Sequence, residues 1–256
     1  MANHDVAGSG EPLLLIHGAL VRSTMWRPQI EAFSGAFQVI ACDLPAHGET
    51  PDLPGAYTIS ALSEWVGQQL DSLGIGRAHV IGHSLGGMVA QQLAVSQPDR
   101  VQRLVLAEAA YGTRNTTWER VQTGFARPFL RLIPQSMLVD LSVRQYGSLH
   151  AHVAEFLKEE MGRYDHRTSV RVMSAAFGFA GKDQLRAIRS PTLVLVADKN
   201  KQTHAQGREM AARIPDARLQ IIPHSLHMLN MDNPEAFNHV VLAFLQDGHI
   251  TSCFSG

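Results

Sequence analysis

The stretch AHVIGHSLGGMVAQQLAVSQP, residues 78–98, predicts a strand, a sharp turn and a helix in direct succession. Its turn has the pattern Gly-x-Ser-x-Gly, from Gly82 to Gly86, with Ser84 at the centre. Glycines fit a tight turn with a strained serine backbone, since a Cβ at either position would clash. Serines in phosphate-binding or purely structural turns share this pattern. The strand–turn–helix context nevertheless favours a nucleophile at Ser84.

Short apolar runs that alternate with helical patterns surround this unit. The runs are residues 13–16, residues 39–41, RLVLAEA at 103–109, PTLVLVAD at 191–198 and the shorter ARLQIIPH at 217–224. Such nearly continuous apolar stretches are typical of strands that are buried on both faces of a mostly parallel sheet. We therefore expect an α/β fold, with a doubly wound sheet covered by helices on both faces.

The alternation stops between residues 111 and 182. Three stretches there have apolar residues at helical spacing, namely TTWERVQTGFARP at 116–128, LHAHVAEFLKEEMG at 149–162 and SVRVMSAAFGFAG at 169–181. An insertion before the penultimate strand connects at the carboxyl ends of the strands, where ligands bind in doubly wound sheets. The sequence therefore predicts a core of residues 1–110 and 183–256 with a helical cap of residues 111–182.

The composition argues against several classes of partner. The 256 residues carry a formal net charge of -1, which gives no electrostatic reason to expect nucleic acid or an anionic membrane. No apolar run reaches membrane-spanning length, and the N-terminal stretch lacks the apolar core of a signal peptide. Two cysteines, Cys42 and Cys253, are too few for a disulfide framework or a zinc site. We expect a cytoplasmic protein that needs no metal or organic cofactor.

Several motifs together resemble the α/β-hydrolase superfamily over nearly the whole chain. Besides the serine turn, they are HGAL at 17–20, DLPAHGET at 43–50 and IIPHSLHMLNMDNPEAF at 221–237. The resemblance implies a capped serine hydrolase in which the backbone N–H groups of Ala19 and Leu85 form the oxyanion hole. It also assigns the general base to His227 rather than to His224, by its position after the last strand.

The third member of the catalytic triad departs from the family pattern. The resemblance places the usual aspartate at Asn200, and an amide there favours the wrong histidine tautomer. Glu108 ends the strand after the helix of the serine, where a minority of these hydrolases, including pancreatic-type lipases and zearalenone-type lactonases, carry their acid. A lone charge at the end of a buried strand is costly without a partner. We expect Glu108 to pair with His227, and Asp198 is the alternative acid.

The remaining candidate residues fall into two groups. Several histidines are interpreted as structural or as loop residues: His17, His47, His83, His224 and His239. Six apolar residues are candidates for the wall of a substrate pocket: Leu20, Met25, Trp26, Trp118, Phe125 and Met228. Such a wall fits a small apolar or aromatic substrate.

A serine nucleophile favours cleavage of a carboxylic ester or lactone through an acyl-enzyme on Ser84. Related carbon–carbon bond hydrolases usually carry an asparagine before the serine, where this chain has His83. A carbon–carbon bond hydrolase or a lyase or synthase stays an alternative, because the fold alone does not determine the reaction. A non-catalytic small-molecule receptor or signalling protein is an alternative of another class, favoured by the loss of the usual acid at Asn200.

Little sequence precedes the first predicted strand at residues 13–16. Only HDVAGSG, residues 4–10, is available for the strands that relatives usually have there, so we expect a sheet that is shortened at this edge. An exposed edge strand can pair with another chain. Homodimer formation is therefore a further expectation.

Overall fold

The computed structural model describes residues 4–112, 131–144, 146 and 149–247. Within these ranges the strands are β1 His4–Ala7, β2 Glu11–Ile16, β3 Phe37–Cys42, β4 Ala78–His83, β5 Val101–Ala107, β6 Thr192–Ala197 and β7 Ala217–Ile222. Each apolar run that predicted a strand lies in one of the strands β2 to β7. The expectation of an α/β fold is confirmed.

The strands form one sheet in the order β1-β3-β2-β4-β5-β6-β7. β1 runs antiparallel to β3, and every other neighbouring pair is parallel. All six residues of β4 and of β6 are buried, which agrees with the apolar run that predicted β6. The carboxyl ends of β2 to β7 therefore lie at one edge of the sheet.

Helices cover both faces of this sheet. They are α1 Arg27–Phe33, α2 Ile59–Ser72, α3 Leu85–Ser96, α4 Gln135–Arg144, α5 Ala151–Gly162, α6 His166–Gly178, α7 Lys201–Arg213, α8 Leu229–Asp232 and α9 Pro234–Asp247. The connections from β2 to β3 and from β4 to β5 run in opposite directions along the sheet, so right-handed crossovers place α1 and α3 on opposite faces. α1 packs against α9, and α2 packs against α3. Within the described ranges, no helix has the length and apolar composition that crossing a lipid bilayer requires.

In the described part of the connection from β5 to β6, there are three α-helices, α4, α5 and α6, which are called the insertion helices below. α5 and α6 match two of the predicted helical patterns, whereas the third pattern, residues 116–128, lies outside the described residues. α4 has no counterpart among the predictions, and only Val139 of its side chains is buried. Arg22 of the core pairs with Glu160 of α5 at 2.6 Å. The division into a core and a cap of residues 111–182 stays a prediction.

The N-terminal edge of the sheet is formed by β1, which is four residues long. Its Val6 side chain is exposed. A single short strand at this edge agrees with the expectation of a shortened sheet. Pairing of two chains through β1 stays a prediction.

The turn between β4 and α3 packs backbone against backbone. Ser84 has a φ of 52° and a ψ of -113°, a strained conformation for a residue with a side chain. A Cβ on Gly82 would lie 2.3 Å from the carbonyl oxygen of Gly86. A Cβ on Gly86 would lie 2.3 Å from the carbonyl oxygen of Ile16 on β2. The glycines on both sides of the serine are therefore required by packing, as the sequence pattern predicted.

We expect Gly82→Ala to lower the free energy of unfolding by about 3 kcal/mol or more, because the neighbouring atoms are backbone and cannot move aside. Gly76→Ala is the control, since no atom lies within 4 Å of a Cβ at that position. The control should change the free energy by less than about 0.5 kcal/mol. Urea unfolding followed by circular dichroism measures both values. Equal stability of the two variants would contradict the close packing of the turn.

Candidate active site

The predicted site residues lie at the edge of the sheet where the parallel strands end. Ser84 follows β4, Glu108 follows β5, Asn200 lies three residues beyond β6 and His227 lies in the loop after β7. The loop that contains Ala19 follows β2. The topology therefore brings together residues that are far apart in the sequence, at the edge where doubly wound sheets bind ligands.

The strand register places Ser84 beside Glu108. His83 at the end of β4 is paired with Ala107 at the end of β5, so the serine and the glutamate are each the next residue. The Ser84 N–H donates to the carbonyl oxygen of Ala107 at 2.9 Å. Glu108 has a φ of 48°, a left-handed conformation that residues other than glycine rarely adopt. Two neighbouring residues with strained backbones are typical of a functional site.

Ser84, His227 and Glu108 form a chain of hydrogen bonds. Ser84 Oγ lies 3.1 Å from His227 Nε2, and His227 Nδ1 lies 3.2 Å from Glu108 Oε2. When Nδ1 carries the imidazole proton and donates it to the carboxylate, Nε2 is free to accept from the serine hydroxyl. The His227 side chain is 33% exposed, whereas that of Glu108 is fully buried. The imidazole is therefore accessible to a substrate, and the carboxylate lies behind it.

Hydrogen-bond donors surround the carboxylate of Glu108. The Ala197 N–H donates to Oε1 at 2.7 Å, and Asn200 Nδ2 donates to Oε2 at 2.5 Å. The hydroxyl of Thr203 lies 2.9 Å from Oε1. Together with His227, these groups replace the water that the buried carboxylate has lost. Asn200, at the position of the usual family acid, is thus a donor to the acid on the neighbouring strand.

Asp198, the predicted alternative acid, contacts a different part of the loop after β7. It accepts from the Ser225 N–H at 2.8 Å and lies 3.0 Å from Lys199 Nζ. Burial raises the pKa of Asp198, but the hydrogen bonds from Ser225 and Lys199 outweigh burial and the net shift of the pKa is downward. Among the described residues, Asp198 makes no hydrogen bond to His227. The structure therefore brings Glu108, and not Asp198, to the imidazole.

Two buried histidines hold the loop after β2. The Leu44 N–H donates to His17 Nε2 at 2.9 Å, and the Leu20 N–H donates to His47 Nε2 at 3.1 Å. Burial lowers the pKa of His17 to about 4 and the pKa of His47 to about 3. Both rings are therefore neutral at neutral pH, as a nitrogen that accepts a hydrogen bond must be.

Two backbone N–H groups remain available near Ser84, those of Ala19 and Leu85. Leu85 begins α3, so its N–H has no acceptor within the helix, and the helix N-terminus adds partial positive charge. In the described part of the chain, neither N–H donates to a protein acceptor. Ala19 and Ser84 line the same cavity. The pair can therefore donate to an oxygen that becomes negatively charged next to the serine.

The segment that carries His227, residues 225–228, is held by four side chains from separate parts of the protein. The partners are Asp198 for the Ser225 N–H, Asp232 for the Leu226 N–H, His83 for the His227 carbonyl and Tyr146 for the Met228 N–H, all at 2.7 to 3.0 Å. Burial lowers the pKa of His83 to about 3, so its neutral ring can donate through Nε2 to the carbonyl. The position of the imidazole is therefore fixed through its backbone as well as through Glu108.

Comparison with known proteins identifies the family. The family profile described as the alpha/beta hydrolase fold matches residues 11–234. The chain belongs to the α/β-hydrolase family.

Individual relatives of this α/β-hydrolase carry several names. A putative carbamate hydrolase from Caulobacter sp. is 30% identical, over 94% of this chain and 94% of that protein. A carboxylesterase from Bacillus subtilis is 27% identical, over 92% of this chain and 80% of that protein. The crystal structure of the enol-lactonase from Burkholderia xenovorans has a TM-score of 0.85 and 25% identity, and the alignment covers 96% of both chains.

A cavity of about 160 Å³ lies between Ser84 of the α/β-hydrolase sheet and the insertion helices. Its lining includes His227, Gly18 and Ala19 near the serine. The walls are mostly apolar and consist of Leu20, Val21, Leu157, Met161, Met173 and Met228, with the hydroxyl groups of Ser142 and Tyr146 as polar additions. A small, mostly apolar cavity of this kind fits a short acyl chain or a single ring.

The six predicted pocket residues differ in position. Leu20 and Met228 line the cavity. Trp118 and Phe125 lie outside the described residues. Tyr146, which does line the cavity, has no signal in the sequence, because it belongs to no helical or strand pattern and to no motif.

Met25 and Trp26, the other two predicted pocket residues, are fully buried in the core and are not part of the cavity wall. A short 3-10 helix, Ser23–Trp26, turns both side chains inward. Trp26 packs against Phe237 of α9, with ring centroids 6.2 Å apart. The prediction that Met25 and Trp26 line the substrate pocket is therefore wrong, although both lie close in sequence to the loop after β2.

Of the acids around the His227 segment, Asp232 has the fewest hydrogen bonds to offset the burial of its carboxyl group. Its Oδ2 accepts from the Leu226 N–H at 2.7 Å, but its buried Oδ1 has no hydrogen-bond partner among the described residues. His150 Nδ1 lies 3.9 Å from this oxygen. Burial raises the pKa of Asp232 to about 6. The folded protein therefore holds a proton on Asp232 at pH values where the unfolded chain has lost it.

We expect Asp232→Asn to be more stable than the wild type at neutral pH, by about 1–3 kcal/mol. The penalty of ionising Asp232 in the folded state begins near the unfolded pKa, at about pH 4, and reaches its full size above about pH 6. The asparagine carbonyl can still accept from Leu226. Thermal unfolding of both proteins at about pH 4 and about pH 8 measures the difference. A difference in stability that does not change with pH would contradict the raised pKa.

Proposed function

We propose that this α/β-hydrolase cleaves a carboxylic ester or lactone of a small apolar or aromatic substrate, through an acyl-enzyme on Ser84. The observation that carries the proposal is the hydrogen-bonded chain from Ser84 through His227 to Glu108, with distances of 3.1 and 3.2 Å. The N–H groups of Ala19 and Leu85, which have no acceptor among the described residues, and the apolar cavity support the same reaction. Relatives named as a carboxylesterase and an enol-lactonase support the ester and lactone classes.

In the acylation half of this mechanism, Ser84 Oγ attacks the carbonyl carbon while His227 Nε2 takes the hydroxyl proton. Glu108 stabilises the imidazolium that results, and the N–H groups of Ala19 and Leu85 donate to the carbonyl oxygen as it becomes an oxyanion. The bond between the acyl carbon and the leaving oxygen then breaks, and His227 gives its proton to that oxygen. The products are an acyl-serine and an alcohol, which stays attached to the acyl chain if the substrate is a lactone.

Deacylation repeats these steps with water as the nucleophile. His227 takes a proton from the water molecule, the hydroxide attacks the acyl carbon, and the proton is returned to Ser84 Oγ as the acyl–serine bond breaks. Glu108 stabilises the imidazolium in both halves. The cycle releases a carboxylic acid and restores the free serine.

The three hydrogen-bonded groups Ser84, His227 and Glu108 argue against the alternative of a non-catalytic receptor or signalling protein. That alternative depended on the loss of the usual acid at Asn200. The contact between Glu108 and His227 supplies an acid from the neighbouring strand, and Asn200 supports it as a donor. The alternatives of a carbon–carbon bond hydrolase, a lyase or a synthase stay predictions.

A carbamate is a second candidate substrate class, favoured by the relative that is named as a putative carbamate hydrolase. The same three groups can attack a carbamate carbonyl. Assays of the wild type and Ser84→Ala with p-nitrophenyl butyrate, a small lactone and a phenyl carbamate distinguish the classes. Turnover of the carbamate alone, abolished by Ser84→Ala, would exclude the ester and lactone proposal. The absence of any turnover would overturn the proposed hydrolysis as a whole.

We expect Glu108→Gln to lower kcat/KM for p-nitrophenyl butyrate by about 10³–10⁴-fold, because an amide does not stabilise the imidazolium and favours the wrong tautomer of His227. Asp198→Asn is the matched variant and should stay within about tenfold of the wild type, since Asp198 contacts Ser225 and not the imidazole. Thermal unfolding of each variant shows that it is folded. A large loss in Asp198→Asn together with a small loss in Glu108→Gln would move the acid to Asp198.

The double variant Glu108→Gln/Asn200→Asp tests whether the acid can be returned to the usual family position. Asn200 Nδ2 lies 2.5 Å from the carboxylate oxygen that contacts His227, so an aspartate at this position is close to the imidazole. We expect the double variant to recover about tenfold or more of the activity lost in Glu108→Gln, by a non-additive effect between contacting residues. A folded double variant without any recovery would show that an acid at position 200 does not reach His227.

A further inference from the structure

Tyr146 is a buried polar side chain in the cavity next to Ser84. It is only 1% exposed, and its side chain lines the same cavity as Ser84 and His227. It lies in the connection between α4 and α5, so it belongs to the segment between β5 and β6 and not to a strand of the sheet. The cavity wall around it is mostly apolar. A phenol in such a wall needs hydrogen-bond partners.

Among the described residues, the hydroxyl group of Tyr146 has a partner for its oxygen but none for its proton. Its oxygen accepts from the Met228 N–H at 3.0 Å. No acceptor for the O–H lies among the described residues, whereas the buried Tyr57 donates its O–H to the carbonyl oxygen of Pro45 at 2.9 Å. Burial, assisted by the nearby Asp232, raises the pKa of Tyr146 well above its usual range, so the phenol keeps its proton. A buried donor without an acceptor is costly, and an oxygen of a bound substrate can supply the acceptor.

The position of this donor indicates which oxygen of the substrate it meets. Met228 directly follows His227, so the Tyr146 hydroxyl stands on the side of the histidine. The carbonyl oxygen of the substrate is received on another side, by the N–H groups of Ala19 and Leu85. The oxygen that faces His227 during acylation is the leaving oxygen, because the imidazole must return its proton to it.

We propose that the Tyr146 O–H donates a hydrogen bond to the leaving oxygen of the ester or lactone and stabilises the negative charge that develops there. This inference rests on the proposed function, since it concerns the acylation step at Ser84. As the acyl carbon–oxygen bond breaks, its electron pair stays on the leaving oxygen. His227 supplies the proton that neutralises this oxygen, and Tyr146 keeps its own proton throughout.

A hydrogen-bond donor to the leaving oxygen accelerates acylation by some substrates more than by others. An alkoxide is strongly basic, so an alkyl ester or a lactone benefits from a hydrogen bond to the departing oxygen. p-Nitrophenolate disperses its charge into the ring and needs little assistance. Tyr146 therefore favours unactivated alkyl esters and lactones over aryl esters. A residue that only positions His227 lowers the activity toward both classes, because the imidazole is the general base in the attack of Ser84 on either ester.

The test compares ethyl butyrate with p-nitrophenyl butyrate, which share the acyl group and differ in the leaving group. We expect Tyr146→Phe to lower kcat/KM for the ethyl ester about 10- to 100-fold more than for the p-nitrophenyl ester. Asp198→Asn, which alters another support of the His227 segment, should change the ratio of the two activities by less than about threefold. kcat/KM is the appropriate quantity because it reports acylation, in which the leaving oxygen departs. Tyr57→Phe, which removes a buried phenol outside this cavity, should leave the ratio of the two activities unchanged.

Equal losses on both esters would overturn the proposal and leave Tyr146 as a positioning residue for the His227 segment. Unchanged activity on both esters would also overturn it. If the phenylalanine variant does not fold, Tyr146→Met removes the same hydroxyl and is judged by the same ratio. Failure of the proposed function looks different, because the wild type itself would then hydrolyse neither ester.

Discussion

The burial of the Glu108 carboxylate is the constraint on which the rest of the site depends. A carboxylate without water must receive all its hydrogen bonds from the protein, and here they come from the end of β6, from α7 and from the loop after β7. The same bonds therefore stabilise the charge and fix these elements relative to β5. Removal of one donor leaves a buried charge that is only partly compensated. Geometry at the site and stability of the core are thus linked through one side chain.

Three further imidazoles surround the triad, and all of them are kept neutral. Burial lowers the pKa of His17, His47 and His83 to about 3 or 4, and each ring makes hydrogen bonds to the backbone of a loop at the site. His227 is different because it is partly exposed and faces a carboxylate. A positive charge is therefore disfavoured on the three buried rings, and the proposed acyl transfer would place it on His227.

Much of this arrangement could be predicted from the sequence. Continuous apolar runs identify β2 to β7, the glycine pattern identifies the turn at Ser84, and a lone acid at the end of a buried strand draws attention to Glu108. Other features have no local signal. Tyr146 is an isolated aromatic residue in a connection, and the inward position of Trp26 depends on packing with Phe237 of α9. Such features depend on which surfaces meet in three dimensions, and a periodic pattern along the chain does not contain that information.

The short contact between Asn200 and Glu108 also limits how such a site can evolve. If the acid moves from one strand to its neighbour by single substitutions, the order of the two steps matters. Gaining the second acid first brings two negative charges into one buried pocket, and losing the first acid first leaves the histidine without a counter-charge. Either intermediate is impaired, so a lineage crosses a fitness valley between the two arrangements.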